Sequence, residues 1–150
     1  MFKKPQFFKK RTYTENNPKL KRRGNYREKF FKHNPGHDFG RLGRFYICPY
    51  CGKLMKNIKR ITVDHIYSIR AVQRNRKLRA RFDALPDGVN DPSNLVACCR
   101  GCNSRKGTKG GAWILLGRYG HRFMPFVRLA VFVLLAIATV WGISHLAGSL

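Results

Sequence analysis

Four cysteines in this 150-residue chain form two pairs with the spacing of metal ligands. The first pair is Cys48 and Cys51, and the second is Cys99 and Cys102. The chain opens on a basic segment without an apolar signal stretch, which favours zinc coordination by thiolates over a disulfide framework or inert cysteines. A closed four-thiolate zinc site has no open position and is therefore structural. The fifth cysteine, Cys98, has the wrong spacing and is interpreted as a small buried residue.

Between the two pairs, and directly after the second pair, lie side chains that could hydrolyse a phosphodiester. His65 is a candidate general base, since an imidazole titrates near pH ~6.5 and can activate water at neutral pH. Asp64 offers a hard carboxylate oxygen suited to Mg²⁺ or Mn²⁺, and Asn103 can add a neutral carbonyl oxygen. The alternative for His65 is a structural or zinc-binding histidine. Asn94, further along the chain, is either a part of this site or a turn residue after Asp91-Pro92-Ser93.

In this combination the chain resembles the HNH endonuclease family, in its four-cysteine, zinc-stabilised form. The resemblance covers about residues 45–110, and the matching positions are Cys48, Cys51, Gly52, Asp64, His65, Ile66, Asn94, Leu95, Cys99, Cys102, Asn103 and Lys106. It implies an α+β fold built on a small ββα-metal domain with a structural zinc. It also implies that His65 is the general base and that Asp64 and Asn103 bind a catalytic Mg²⁺ or Mn²⁺. Asn94 would bridge the loop and hold the histidine-bearing segment in place.

The elements that must position these residues are predicted from local composition. Short β-prone runs precede the first cysteine pair and Asp64, and a further strand is expected over residues 94–97. A helix should start near the second cysteine pair and carry Asn103 and Lys106 on adjacent turns, with a glycine at its end. Residues 69–82 are expected to form a strongly basic helix. The predicted order is strand, loop, strand, helix.

The charge of the chain points to a polyanionic partner. The formal net charge is +24 and the isoelectric point is about 10.8, which suits nucleic acid or an anionic membrane surface. Residues 1–44 are basic with interleaved aromatics, and we predict a flexible arm with a short helix around residues 26–32. This arm could track DNA phosphates, face anionic lipid or be a solvated tail. Lys106 and its basic neighbours are expected to contact phosphates or to form a solvated face.

The C-terminal segment differs in kind from the rest. Residues 129–150 contain no Lys, Arg, Asp or Glu and match the ~20 residues that a helix needs to cross a bilayer. Residues 111–128 would form a juxtamembrane linker, and their arginines place the preceding domain in the cytoplasm, with membrane lipid as a partner. The alternative is a buried helix of a soluble domain, although a small core offers little surface to cover it.

Together these features predict a metal-dependent endonuclease that cuts DNA and is tethered to a membrane by its C-terminal helix. The first alternative is a non-catalytic, zinc-dependent nucleic-acid-binding module at the membrane. The second alternative is a structural or interaction protein of the membrane surface. Both alternatives leave the Asp64-His65 pair without a use, which favours the nuclease.

Overall fold

The computed structural model describes residues 17–147, which form the mixed helix and strand structure that the sequence predicts. The helices are α1 (Tyr26–His33), α2 (Ile69–Arg74), α3 (Arg76–Asp83), α4 (Arg100–Lys106) and α5 (Ala112–Ala147). The strands are β1 (His37–Asp38), β2 (Arg44–Ile47), β3 (Leu54–Met55), β4 (Ile61–His65) and β5 (Leu95–Cys99). Short 3-10 helices lie in the connections, at Pro18–Leu20, Gly40–Leu42, Ile58–Arg60, Gly88–Asn90 and Pro92–Asn94. Strands β1, β2 and β3 form one small antiparallel sheet, and β4 and β5 form another.

The unit that carries the candidate chemistry consists of β4, β5 and α4. In the antiparallel register, Asp64 lies opposite Val96 and His65 lies opposite Leu95. Helix α4 follows β5 at once and ends at Gly107, whose φ of 51° suits a residue without a side chain. The predicted order of strand, loop, strand and helix is confirmed, with the second strand of this unit beginning one residue later than expected.

The connection from β4 to β5 contains two short helices where the sequence predicts one. Helix α2 ends and α3 begins at Asn75, whose backbone is extended and whose side chain accepts a hydrogen bond from the N–H of Leu78. An asparagine that caps the next helix competes with continuation of the first, which explains the break. Val72 and Phe82 from these helices are buried together with Leu20 and Val89 in a second small core.

Residues 17–44 are folded onto this domain and do not form the flexible arm that the sequence predicts. Leu20 is fully buried in the second core, and Phe30 of α1 is buried in the main core beside Tyr46. The guanidinium of Arg27 donates to the backbone carbonyl of Ile61 at the start of β4. Burying each of these apolar side chains stabilises the fold by about 2 kcal/mol relative to leaving it exposed in a solvated tail, which favours the packed segment. The other part of the expected arm, residues 1–16 with Phe7, Phe8 and Tyr13, lies outside the described residues.

The first part of α5 occupies the segment that the sequence assigns to a linker, and it packs against the first cysteine turn. A Cβ at Gly120 would lie 2.0 Å from the carbonyl oxygen of Pro49, and one at Gly52 would lie 2.3 Å from that of Met124. Trp113 packs on the main core, with its ring centroid 5.2 Å from that of Tyr50. The glycines therefore permit a close approach between helix and cysteine turn, and the folded domain continues into this helix.

The second part of α5 carries its apolar side chains on the surface. Large hydrophobic residues from Leu129 to Ile143 are exposed, with Leu134 at 65 % and Trp141 at 67 % of their full accessible area. By length and composition this helix could cross a membrane, and none of its most apolar window is buried. The alternative of a helix buried within the described domain is therefore not met, and a contiguous exposed apolar surface of this kind is typical of contact with lipid or another apolar partner.

Candidate active site and metal centres

The four cysteines of the two pairs converge on one point. Their Sγ atoms all lie within 4.8 Å of one another, and all four cysteines are free thiols. The Cys48 and Cys51 sulfurs lie 3.8 Å and 3.9 Å from that of Cys99. A tetrahedral zinc with metal–sulfur bonds of ~2.3 Å requires sulfur–sulfur edges of about 3.8 Å, so these side chains fit zinc in both number and geometry.

Local backbone geometry builds this four-cysteine cluster from two turns. In the first, the N–H of Gly52 donates to the carbonyl of Cys48 at 2.8 Å, and Gly52 has a φ of +67°. In the second, Cys99 ends β5 and accepts a hydrogen bond from the N–H of Cys102 in α4. The cluster therefore joins the first cysteine turn to the start of the helix that carries Asn103.

Cys98 lies outside this cluster, as the spacing predicts. It is fully buried in the main core, and its sulfur lies 3.3 Å from the hydroxyl oxygen of Thr62 on the neighbouring strand. Burial raises the pKa of this thiol to about 12, so it remains protonated at neutral pH. Cys98 is a packing residue of β5.

The Asp64 carboxylate is buried and held by two donors. The hydroxyl of Tyr50 donates to its Oδ2 at 2.5 Å, and the Nζ of Lys106 lies 2.9 Å from Oδ2 and 3.2 Å from Oδ1. Burial and then the neighbouring carboxylate raise the pKa of Tyr50 far above its usual value, so the phenol keeps the proton that it donates. Within residues 17–147, Oδ1 receives a single, longer contact, from Lys106, which leaves it with a lone pair for a metal ion.

Lys106 does not take the role of a phosphate contact that its sequence context suggests. Its side chain is completely buried, and it also donates to the backbone carbonyl of His65 at 2.8 Å. A buried ammonium requires partners of this kind because an unpaired charge is costly in the interior. Lys106 therefore fixes the end of β4 and the Asp64 carboxylate against α4, whereas its neighbour Arg105 is exposed to solvent.

The imidazole of His65 is buried at the end of β4, with 4 % of its area exposed. Its Nε2 lies 3.2 Å from Oδ1 of Asn90, and its ring packs on that of Tyr26 with centroids 5.1 Å apart. Burial lowers the pKa of His65 below its usual value, so the ring is neutral at neutral pH and can accept a proton.

The side chain of Asn94 forms hydrogen bonds with the backbone of the neighbouring turn. Its Oδ1 accepts from the N–H of Tyr67 at 2.8 Å, and its Nδ2 donates to the carbonyls of Tyr67 and Val89. The residue is 1 % exposed, so these bonds are shielded from water. Asn94 therefore braces the turn that follows His65. It also follows the turn of Asp91, as the alternative interpretation expects, since its own N–H donates to the carbonyl of Asp91.

Three of the sequence-predicted residues meet at a cleft of about 600 Å³. Asp64 and His65 from β4 line it together with Asn103 from α4. Asp64 and Asn103 offer oxygen ligands, a donor set that suits Mg²⁺ or Mn²⁺. Two arginines, Arg22 and Arg70, also line the cleft and give it positive charge. A larger groove of about 690 Å³ lies between α1, β5 and α5 and is lined by none of the candidate site residues.

Several residues that shape this site carry no sequence pattern that would single them out. Tyr50 lies inside the first cysteine turn, where an aromatic residue is usually explained by packing. Asn90 and Tyr26 reach His65 from segments that are 25 and 39 positions away. Such long-range contacts depend on the tertiary fold, so local composition does not predict them.

Comparison with known families agrees with this geometry. The family model described as HNH endonuclease matches residues 48–109, from the first cysteine of the cluster to the residue before the glycines that precede α5. The matched segment contains β4, β5, α4 and all four cysteines. No curated protein and no solved structure matches the chain with significance.

Proposed function

We propose that the HNH domain at residues 48–109 is a metal-dependent endonuclease that hydrolyses phosphodiester bonds in DNA. The observation that carries this proposal is the meeting of Asp64, His65 and Asn103 at one positively charged cleft. A buried, neutral imidazole beside two oxygen ligands is what metal-assisted hydrolysis requires. A binding module without catalysis would have no need of this combination.

In the proposed reaction, His65 acts as the general base. It takes a proton from a water molecule, whose oxygen attacks phosphorus while the bond from phosphorus to the leaving oxygen breaks. Asp64, through Oδ1, and Asn103 would hold Mg²⁺ or Mn²⁺, which supplies charge stabilisation at the phosphate and the leaving oxygen. Tyr50 and Lys106 keep the Asp64 carboxylate in one orientation, and Asn94 braces the segment that carries His65.

The proposed substrate follows from the charge of the cleft and of the chain. Arg22 and Arg70 line the cleft and are exposed, so their guanidinium groups are available to phosphate oxygens. The net charge of +24 adds a long-range attraction for a polyanion. DNA is the polyanion that we propose.

We also propose that the second part of α5 anchors this nuclease in a membrane. A helix satisfies its backbone polar groups internally, which the hydrocarbon interior requires, and the exposed apolar residues then face lipid. Arg118, Arg122 and Arg128 precede the apolar stretch and favour a cytoplasmic location for the nuclease domain. Lipid headgroups and DNA would then both lie within reach of the basic domain.

Cleavage and binding can be separated by the metal ion. Purified full-length protein in detergent should cut plasmid DNA in Mg²⁺ or Mn²⁺, and EDTA should stop cutting while DNA binding at low salt persists. The zinc content should be measured after the EDTA step, so that loss of structural zinc is not mistaken for loss of the catalytic ion. Binding without cutting in every divalent metal, by protein that retains zinc, would favour the non-catalytic module.

A further inference from the structure

The segment before α1 reaches the connection between α3 and β5 through one buried side chain, Asn90. The Nδ2 of Asn90 donates to the carbonyl of Lys21 at 2.6 Å, and its Oδ1 accepts from the N–H of Arg23 at 3.3 Å. Asn90 is 5 % exposed, so the hydrogen bonds of its amide are shielded from water. The same Oδ1 lies 3.2 Å from Nε2 of His65.

The two backbone partners determine which way the amide of Asn90 points. A carbonyl oxygen can only accept a hydrogen bond, and a backbone N–H can only donate one. Rotating the amide by half a turn would place its NH₂ against the N–H of Arg23 and its oxygen against the carbonyl of Lys21. Both contacts would then be repulsive, so the oxygen is the atom that faces His65.

This orientation decides the tautomer of His65. Because Oδ1 of Asn90 is an acceptor, Nε2 of His65 must carry the hydrogen, and the lone pair of the neutral ring is then on Nδ1. Tyr26 packs against the ring, with the two ring planes inclined at 35°, which restricts its rotation. One nitrogen of the imidazole thus bonds Asn90, and the residue itself lines the cleft.

We propose that Asn90 is the positioning residue for the general base, holding His65 with its hydrogen on Nε2 and its Nδ1 lone pair available to the attacking water. This inference rests on the proposed function. The residues that orient Asn90 and pack on His65 lie between positions 21 and 26, before the matched HNH segment begins. The N-terminal segment therefore completes the active site as well as enlarging the core.

The tautomer can be observed without any cleavage assay. Full-length protein with ¹⁵N-labelled histidine, loaded with zinc in detergent micelles, gives two-bond ¹H–¹⁵N correlations in which protonated and unprotonated ring nitrogens separate. Comparison with His65→Gln assigns the signal. The expected result is a neutral His65 with hydrogen on Nε2 in the wild type and a mixture of tautomers in Asn90→Leu. A wild-type His65 with hydrogen on Nδ1 would overturn the proposal.

Steady-state cleavage of a short labelled duplex supplies the functional test. Asn90→Leu removes the acceptor and should lower kcat by at least about tenfold with KM little changed, since a misplaced base forfeits part of the 10²–10⁴-fold that such a group contributes. Asn90→Asp keeps an acceptor oxygen toward Nε2 but places its second oxygen against the carbonyl of Lys21, so it should recover only part of that loss. The matched control is Asn17→Leu, because Asn17 bonds Asp83 and Lys19 in the same N-terminal segment without contacting His65.

The outcomes separate this inference from the proposed function. If His65→Ala abolishes cleavage while Asn90→Leu cuts like the wild type, the nuclease assignment stands and the role of Asn90 is wrong. If Asn17→Leu lowers kcat as much as Asn90→Leu, segment anchoring explains the effect and the proposal is again overturned. If Asn90→Leu fails to fold, which its zinc content reports, the wild-type spectrum and the Asn90→Asp rate decide.

Discussion

The hydroxyl of Tyr50 donates a hydrogen bond of 2.5 Å to Oδ2 of Asp64. Tyr50 lies between two of the cysteines of the four-cysteine cluster, and Asp64 is the carboxylate ligand that we propose for a catalytic ion. One side chain therefore connects the four-cysteine cluster to the proposed catalytic site. Hydrogen-bond partners of this type hold metal ligands in place and commonly change metal affinity by about 10–100-fold when removed.

Replacement of Tyr50 by phenylalanine should test this connection. Without the hydroxyl, Asp64 keeps Lys106 as a partner but loses its shortest hydrogen bond, so half-maximal cleavage should require at least about tenfold more Mg²⁺. Tyr46→Phe is the matched control, since the Tyr46 hydroxyl also makes a bond in the interior, at 2.9 Å to the carbonyl of Asn34, away from the cleft. Equal Mg²⁺ dependence in Tyr50→Phe and the wild type, with equal zinc content, would show that the hydroxyl does not tune the site.

Zinc should be present at about one ion per chain, as one closed tetrahedral site requires. Cys102→Ser should lose the metal and unfold or aggregate, because zinc binding and folding are coupled in a small site of this kind. Cys98→Ser should retain zinc, since its sulfur faces Thr62 and lies outside the cluster. Elemental analysis of the three proteins provides the measurement, and loss of zinc from Cys98→Ser alone would contradict the ligand assignment.

The close approach between α5 and the cysteine turn predicts that alanine lowers the thermal stability at Gly120 and not at Gly142. Gly120→Ala places a methyl group 2.0 Å from the Pro49 carbonyl oxygen, so the helix must shift at a cost of about 1–3 kcal/mol or more. Gly142→Ala is the control in the same helix, because a Cβ there has no heavy atom within 4 Å among the described residues. Thermal unfolding in detergent should show a lower Tm for the first variant and little change for the second. Equal Tm values would mean that α5 does not pack as described.

The membrane anchor predicts a difference between full-length and shortened chains. The full-length protein should remain in membranes after carbonate extraction, whereas a chain ending at Arg128 should be released. This end point keeps Met124 and Pro125, whose backbone packs on Gly52, and an end at Gly120 would remove them. Recovery of full-length protein in the soluble fraction without detergent would contradict the anchor and leave the nuclease proposal in place.

The pattern of polar and cysteine residues was sufficient to predict the four-cysteine cluster and the strand that leads to Asp64. Ligand spacing identified the four cysteines and excluded Cys98, and short-range β propensity predicted a strand immediately before Asp64. These features are local, so they are visible in the sequence without knowledge of the fold. The family match agrees with them at residues 48–109.

The parts that sequence patterns did not predict depend on long-range packing. A basic segment interrupted by proline and glycine resembles a solvated arm, yet Leu20 and Phe30 within it are buried. The sequence around Lys106 does not tell whether its ammonium group is solvated or paired in the interior. The position of Asp64 in the folded chain decides this. Gly120 suggests a linker by composition, but within α5 it allows close contact with the cysteine turn.

We propose that His65 is the general base of a metal-dependent nuclease, and a plasmid cleavage assay can test this role. Wild-type protein and His65→Ala, purified in parallel with equal zinc content, are compared in Mg²⁺ at equal DNA occupancy. We expect nicked or linear plasmid from the wild type and a cleavage rate at least about 10²-fold lower from His65→Ala, the loss expected when a general base is removed. Equal rates from the two proteins would contradict this role and would assign the cleavage to a contaminant.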